Sequence, residues 1–190
     1  MSALPAPTSR LTIRAWQQED RPLFARMNAD PAVMEFLPHV LSRQESDAMV
    51  DRFVDEHNTR GFCPWAVEET ASGSFIGFVG LHEVSDSLPF SPAVEVGWRL
   101  GRPFWGCGYA TEAASSSLSH GFGVLGITDV VSMTSVMNGR SRAVMERLGM
   151  HTEPGEDFEH PRLALGHHLR PHVLYRLSAS EWDRNARRRA

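Results

Sequence analysis

Two repeating spacings of hydrophobic residues divide the chain into strands and helices. Where every second residue is apolar, a half-buried strand is predicted. The segments with strand-like patterns are 11–16, 62–68, 74–84, 93–100, 128–136, 150–152 and 172–177. Polar turns join several of these strands to the next, so we expect neighbouring strands to pair as hairpins within one sheet.

Helices are predicted where apolar residues recur three and four positions apart. One begins at Asp20, and three more cover 42–60, 109–122 and 140–148. Ser42 and Glu45 have the spacing of a capping box, in which each side chain bonds the other residue's backbone N–H at a helix start. Strands and helices together predict a single α/β unit.

The composition narrows the class of protein. A chain of 190 residues, 42% hydrophobic and 22% charged, suits one globular domain, and a net charge of −4 argues against a general nucleic-acid-binding protein. Cys63 and Cys107 are too few for a disulfide framework and favour a reducing compartment. No run approaches the ~18 apolar residues that span a bilayer. We predict a cytoplasmic protein without nucleic-acid or membrane partners.

The two ends of the chain differ from its middle. Residues 1–9 are rich in proline, alanine and serine and are predicted to be frayed. Residues 183–190 are predicted to form a basic tail. The single folded domain is therefore expected over residues 10–182.

A glycine-rich segment, 99–111, separates the predicted strand 93–100 from the next predicted helix. Gly106 and Gly108 permit a sharp turn and a close approach of the backbone to a bulky ligand. At such a junction, free N–H groups and the positive end of the helix dipole attract a phosphate or diphosphate. The segment therefore predicts an anion-binding loop.

Two familiar phosphate loops fit this segment poorly. A nucleoside-triphosphate loop needs Gly-Lys-Ser/Thr, which does not follow Gly108. A dinucleotide loop needs a third Gly or Ala where Thr111 stands and a strand that runs straight into its first glycine, although Asp129 lies where a ribose-binding acid is expected. The dinucleotide alternative therefore stays open.

A third kind of loop fits better. The sequence from Pro103 to Gly108 resembles the diphosphate-binding loop of the GNAT acetyltransferases, Gln/Arg-x-x-Gly-x-Gly/Ala, with Pro103 in place of Gln/Arg. About thirty residues later, Asn138 and Ser141 precede a helix that ends in Leu-Gly-Met, which resembles a second segment of that family. The branch of ribosomal-protein N-terminal acetyltransferases is the most similar.

The resemblance implies an α/β (α+β) fold. In this family a twisted, mainly antiparallel sheet is flanked by helices, and two central parallel strands splay apart. Here those strands would be 93–100 and 128–136. The opened backbone groups need other partners, which the amide-rich pantetheine arm of coenzyme A would supply.

The resemblance also implies acetyl-CoA as the co-substrate. The loop would hold its diphosphate, the N–H groups of Gly97 and Trp98 would contact the thioester, and Asn138 would contact the pantetheine arm. The predicted cofactor contacts are Gly97, Trp98, Arg99, Trp105, Gly106, Cys107, Gly108, Tyr109, Ala110, Thr111 and Asn138.

The resemblance implies N-acetyl transfer, for which a base must take a proton from the acceptor amine. Glu95, in the middle of the first splayed strand, and His82, at the end of the preceding one, are the candidate bases. Ser141 is a candidate to assist the departing thiolate, because Met145 occupies the position where many members carry a tyrosine acid. For each of these residues a structural role is the alternative.

We predict direct transfer to a primary amine in a ternary complex. A protein N-terminus, a small amine and an aminoglycoside all remain possible acceptors. A non-catalytic acyl-CoA-binding or sensor domain of the same fold is the alternative function. The late histidines match no tight metal signature, so no metal is predicted, and the family suggests a homodimer.

Overall fold

The computed structural model describes residues 3–189. The strands are β1 Leu11–Arg14, β2 Pro64–Glu69, β3 Ser74–Glu83, β4 Val94–Leu100, β5 Asp129–Ser135, β6 Phe158–Glu159 and β7 Pro171–Ser178. The helices are α1 Asp20–Asn28, α2 Arg43–Arg60, α3 Tyr109–Gly123, α4 Gly139–Leu148 and α5 Ala179–Arg189. All of these strands join one sheet in the order β1-β2-β3-β4-β5-β7-β6.

Helices cover both faces of this sheet. On one face, Phe24 of α1 and Val50 of α2 pack against Phe78 of β3. On the other, Leu118 of α3 packs with Val96 of β4 in a core that also includes α4. We call these the α1/α2 face and the α3/α4 face. Because successive side chains of a strand point to opposite faces, β4 contributes to both.

The centre of the sheet is opened between β4 and β5. These two strands are parallel, and they pair at only two positions, the second being Glu95 opposite Val131. Beyond that point the Ser132 hydroxyl donates a hydrogen bond to the Val96 carbonyl at 2.9 Å. The other strand pairs are antiparallel. The predicted GNAT-like sheet with two splayed central parallel strands is confirmed.

The structure corrects the predicted strands after α4. Residues 150–152 form an isolated bridge between His151 and Arg176 rather than a strand. Phe158 and Glu159 form β6, which the hydrophobic pattern does not predict, because two residues are too few to show a period.

Residues 3–9 form no helix or strand, and the Ser116 hydroxyl of α3 donates to the Ala6 carbonyl at 2.6 Å. Residues 183–189 belong to α5. The division into a frayed N-terminus, a domain over residues 10–182 and a basic tail stays a prediction. Residues 1, 2 and 190 lie outside the described range. No helix within residues 3–189 combines the length and the apolar character needed to cross a bilayer.

Close packing of β2 on β3 requires glycine at Gly80. A Cβ there would lie 2.2 Å from the Cys63 carbonyl oxygen and 2.8 Å from the Trp65 ring. We expect Gly80→Ala to lower the free energy of unfolding by roughly 1–3 kcal/mol, measured by urea denaturation, because overpacking pushes the strands apart. Gly123→Ala is the matched control, since a Cβ there has no neighbour within 4 Å. Equal losses in the two variants would contradict this account.

Candidate active site

One cavity of about 1430 Å³ connects the glycine-rich loop with the α1/α2 face. It passes the opening between β4 and β5 and ends among side chains of α2, β3 and β4. Every predicted site residue lines it. These residues are His82, Glu95, Gly97, Trp98, Arg99, Trp105, Gly106, Cys107, Gly108, Tyr109, Ala110, Thr111, Asn138 and Ser141.

The loop enters α3 through two glycines with left-handed backbone. The φ angle is +75° at Gly106 and +81° at Gly108, a region that L side chains rarely adopt. The first helical hydrogen bond runs from the Glu112 N–H to the Gly108 carbonyl at 3.0 Å. The amides of residues 109–111 therefore lack intrahelical acceptors. Together with the helix dipole, they form a cradle suited to an anion.

Arg10 supports this loop from outside. Its Nη1 donates to the Cys107 carbonyl at 3.0 Å, and its guanidinium pairs with Glu112. The guanidinium carbon also lies 4.7 Å from the centre of the Tyr109 ring, whose hydroxyl donates to Glu69 at 2.5 Å. These contacts occupy the Tyr109 side chain, so its backbone is the part available to a bound anion.

The backbone of β4 directs its polar groups alternately to β3 and to the opening. The Gly101 N–H donates to β3, whereas the Val96 carbonyl accepts from Ser132 of β5. By this alternation the Trp98 N–H faces the opening and the Gly97 N–H faces β3. Of the two amides predicted to contact a thioester, the structure therefore directs only that of Trp98 towards the opening.

Asn138 and Ser141 build the start of α4. The Asn138 Oδ1 accepts from the Ser141 backbone N–H at 3.1 Å, which is a helix cap. The Asn138 Nδ2 donates to Thr134 at 3.0 Å and to the Ser141 hydroxyl at 3.1 Å. Both side chains thus have structural partners. Ser141 lines the cavity, but none of its described hydrogen bonds reaches Glu95 or His82.

Glu95 and His82 are directly opposite each other on β4 and β3. The His82 Nε2 lies 3.2 Å from a Glu95 carboxylate oxygen, and the Glu95 side chain is only 10% exposed. Burial disfavours the charged imidazolium, but the hydrogen bond and the charge of Glu95 outweigh it, so the pKa of His82 is raised. The two predicted bases therefore form one hydrogen-bonded pair, in which Glu95 raises the pKa of His82.

Glu56 of α2 is a third ionisable group beside this pair. Burial raises the pKa of Glu56, and its charge adds to the raised pKa of His82. Its Oε2 is buried and has no hydrogen-bond partner within residues 3–189. The sequence prediction misses Glu56, although Met49, Phe53 and Glu56 share one helix face and all line the cavity. In the sequence, an acidic residue at a helical spacing from Met49 and Phe53 is the pattern that points to Glu56.

Arg99 lies farther along the same face of β4 as Glu95. Its Nη1 donates to the Asn28 Oδ1 at 2.7 Å and lies 4.0 Å from the Met49 sulfur. Its guanidinium carbon is 5.5 Å from the centre of the Phe78 ring. Burial lowers the pKa of Arg99 to about 10, so it stays charged at neutral pH. The described contacts of this side chain are with α1, α2 and β3, and its predicted contact with the cofactor stays a prediction.

One of the late histidines belongs to the cavity wall. His160 lines the cavity, and its ring centre is 4.8 Å from that of His172. Burial lowers the pKa of both histidines. Within residues 3–189, no three or more His, Cys, Asp or Glu side chains are grouped as a metal site.

Comparison with known proteins identifies the family. Residues 10–151 match the family described as "Acetyltransferase (GNAT) domain". The chain belongs to the GNAT acetyltransferases. It is 30% identical over 188 residues to the FsC-acetyl coenzyme A-N(2)-transacetylase of Aspergillus fumigatus, covering 93% of this chain and 77% of that protein. The predictions of family and of an acetyltransferase enzyme are confirmed.

Solved structures share the fold of this acetyltransferase. RimL, a ribosomal L7/L12 α-N-protein acetyltransferase in complex with coenzyme A, has a TM-score of 0.75 at 18% identity, covering 93% of this chain and 98% of that one. Spermidine N-acetyltransferase from Vibrio cholerae, in complex with CoA and spermine, has a TM-score of 0.73 at 18% identity, covering 92% and 99%. At these identities the likeness concerns the fold.

The raised pKa of His82 can be measured by an NMR pH titration of the histidine ring protons. We expect a pKa above the ordinary ~6.5 in the wild-type protein and a lower pKa in Glu95→Gln. The glutamine has no negative charge to oppose the lowering of the His82 pKa by burial. By linkage, the pair's stabilisation is complete below about pH 6.5 and is lost as pH rises through the raised pKa.

The matched control is Glu153→Gln, which removes the carboxylate of another His–Glu contact. That contact joins His151 and Glu153, also at 3.2 Å. We expect this variant to leave the His82 titration unchanged. A His82 pKa that is the same in Glu95→Gln and in the wild type would contradict the coupling.

Proposed function

We propose that this enzyme transfers an acetyl group from acetyl-CoA directly to a primary amine in a ternary complex. The observation that supports this most strongly is the continuity of the cavity. It joins an amide-lined anion cradle to a His–Glu pair through the opening between β4 and β5. The names of the similar proteins, which record an acetyl coenzyme A transacetylase and two complexes with coenzyme A, support the same donor.

In this proposal the donor is held chiefly by backbone groups. The amides of residues 106–111 would receive its diphosphate, and the pantetheine arm would lie in the opening of the sheet. The Trp98 N–H, which faces that opening, would donate to the thioester oxygen as negative charge develops on it. Asn138, at the start of α4, is the predicted contact for the pantetheine amides.

The acceptor amine must be deprotonated before it can attack. The Glu95–His82 pair takes this proton. The Glu95 carboxylate receives it, and the hydrogen bond to His82 Nε2 spreads the positive charge of that proton over the pair. The nitrogen then bonds to the thioester carbon and the carbon–sulfur bond breaks. The second proton that the nitrogen loses passes through water to the departing thiolate. We expect the rate to rise with pH through the raised pKa of His82, because the protonated pair is a weaker base.

The departing thiolate needs little protein assistance. Met145, at the position of the family's tyrosine acid, is 1% exposed and belongs to the core. A thiol with a pKa of ~8.5 leaves readily, so the proton that the amine nitrogen loses is sufficient, relayed by water or by the Ser141 hydroxyl. Because the tyrosine acid of the family is missing at this position, a non-catalytic acyl-CoA-binding or sensor domain is the alternative function. Such a domain would bind acetyl-CoA without releasing thiol in the presence of any amine.

Glu95→Gln should separate chemistry from donor binding. We expect kcat to fall by about 10²–10⁴-fold, because general base catalysis is lost. Free-thiol release with acetyl-CoA and a panel of primary amines measures the rate, and calorimetry measures the dissociation constant for acetyl-CoA. Glu153→Gln is the control, and we expect wild-type rates. Wild-type turnover in Glu95→Gln would exclude Glu95 as the base.

Gly108→Val tests the anion cradle. A β-branched residue resists the left-handed backbone at this position, so we expect the dissociation constant for acetyl-CoA to rise about tenfold, which corresponds to ~1.4 kcal/mol. Gly126→Val imposes the same strain near the other end of α3, where φ is +69°, and serves as the control. Similar affinities of the two variants for acetyl-CoA would refute the role of the loop.

A further inference from the structure

The α1/α2 face of β4 carries opposite charges at its two ends. Glu95, Gly97 and Arg99 share this face because they are alternate residues of one strand. Glycine stands between the carboxylate and the guanidinium, and a Cβ built there would meet only the His82 Cε1, at 3.6 Å. Because Gly97 has no side chain, the strand backbone between the two charges is open to the cavity. Glu95, Gly97 and Arg99 all line this cavity.

The negative end contains two carboxylates. Glu95 pairs with a histidine, and Glu56 contributes a buried carboxylate oxygen that has no described hydrogen-bond partner. Among the residues that the structure describes, no arginine lies within ion-pair distance of Glu95 or Glu56, although the charges of Arg52 and Arg60 act on Glu56 from farther away. A cationic amine is therefore electrostatically favoured at this end of the cavity.

The positive end is Arg99 without a carboxylate partner. Of its five N–H donors, one bonds Asn28, and no described acid lies within ion-pair distance of the guanidinium. Met49 and Phe78 are the other contacts, and both are uncharged. A desolvated guanidinium with unused donors gains more from an incoming anion than an exposed one does.

Neutral groups hold this guanidinium in place. Asn28, which is 0% exposed, accepts from Arg99 and donates to the Ser46 hydroxyl at 2.9 Å, and Ser46 is also buried. These two hydrogen bonds link α1, α2 and β4, and they fix the position of the guanidinium without neutralising its charge. A bidentate bond to a carboxylate is the interaction that such a group makes best.

Building on the proposed transfer to an amine, we propose that the acceptor is a small aminocarboxylate whose carboxylate binds Arg99 while its amine lies at the Glu95–His82 pair. The Cα atoms of Glu95 and Arg99 are separated by four residues of strand, about 13 Å at ~3.3 Å per residue. The two groups of the acceptor are therefore separated by several bonds and lie across Gly97. Arg99 disfavours a polyamine, whose second ammonium would approach a positive charge.

Three acceptors of matched length test this specificity. They are ε-aminocaproate, hexylamine and hexamethylenediamine, which carry a carboxylate, a methyl group or an ammonium opposite the reacting amine. We expect the wild type to favour ε-aminocaproate over hexylamine by about tenfold to a hundredfold in kcat/KM, mainly through KM. Hexamethylenediamine should be the poorest acceptor.

Arg99→Met should reduce the preference for ε-aminocaproate over hexylamine to about one, and Arg99→Lys should retain part of it. The control is Arg52→Met, which removes an exposed arginine lining the same cavity and should keep the preference. Thermal unfolding verifies that each variant is folded. A preference that persists in Arg99→Met, or that disappears in Arg52→Met, would overturn the assignment.

A binding measurement separates this inference from the proposed function. Calorimetry with the protein saturated by coenzyme A should show ε-aminocaproate binding to the wild type and a tenfold or greater loss in Arg99→Met. If this holds but no amine releases thiol, the transfer proposal fails and the anion site stands. If amines are acetylated without preference for the carboxylate, only the anion site fails. A loss of acetyl-CoA affinity as large as the loss for ε-aminocaproate would instead assign Arg99 to the donor.

Discussion

The separation of β4 from β5 after two paired residues is the constraint on which the rest of the structure depends. A buried strand that loses its neighbour leaves N–H and C=O groups without partners, which is costly unless something else satisfies them. The hydroxyl of Ser132 satisfies the Val96 carbonyl at the edge of the opening. Beyond it, the opening passes through the sheet and allows one cavity to reach from the loop before α3 to the α1/α2 face.

The acidic residues in and near this cavity differ in their partners. Glu83 at the end of β3 pairs with Arg60, and Glu35 pairs with Arg140, so these exposed acids are neutralised. The carboxylate of Glu95 instead contacts a histidine, whose charge depends on pH. At the Glu95 end of the cavity, the local charge therefore depends on proton uptake by His82 rather than on a permanent ion pair.

Much of this arrangement follows from local patterns. Alternation predicts β4 and places Glu95 and Gly97 on one face, and Gly106 and Gly108 predict the turn into α3. The contact of Glu95 with His82 depends on the register of β3 against β4, which spacing within one strand does not determine. The contributions of α2 and of the short β6 depend on tertiary packing, so hydrophobic periods do not reveal them.

The contact between Arg10 and the Cys107 carbonyl connects the edge of the sheet to the anion cradle. Arg10 immediately precedes β1, the outermost strand, so the curvature of the cradle is partly set by a residue distant in sequence and outside the cavity. Whatever displaces that edge, such as a fused tag or a neighbouring protein, would therefore shift the Cys107 carbonyl and the loop before α3 without touching Glu95 or His82.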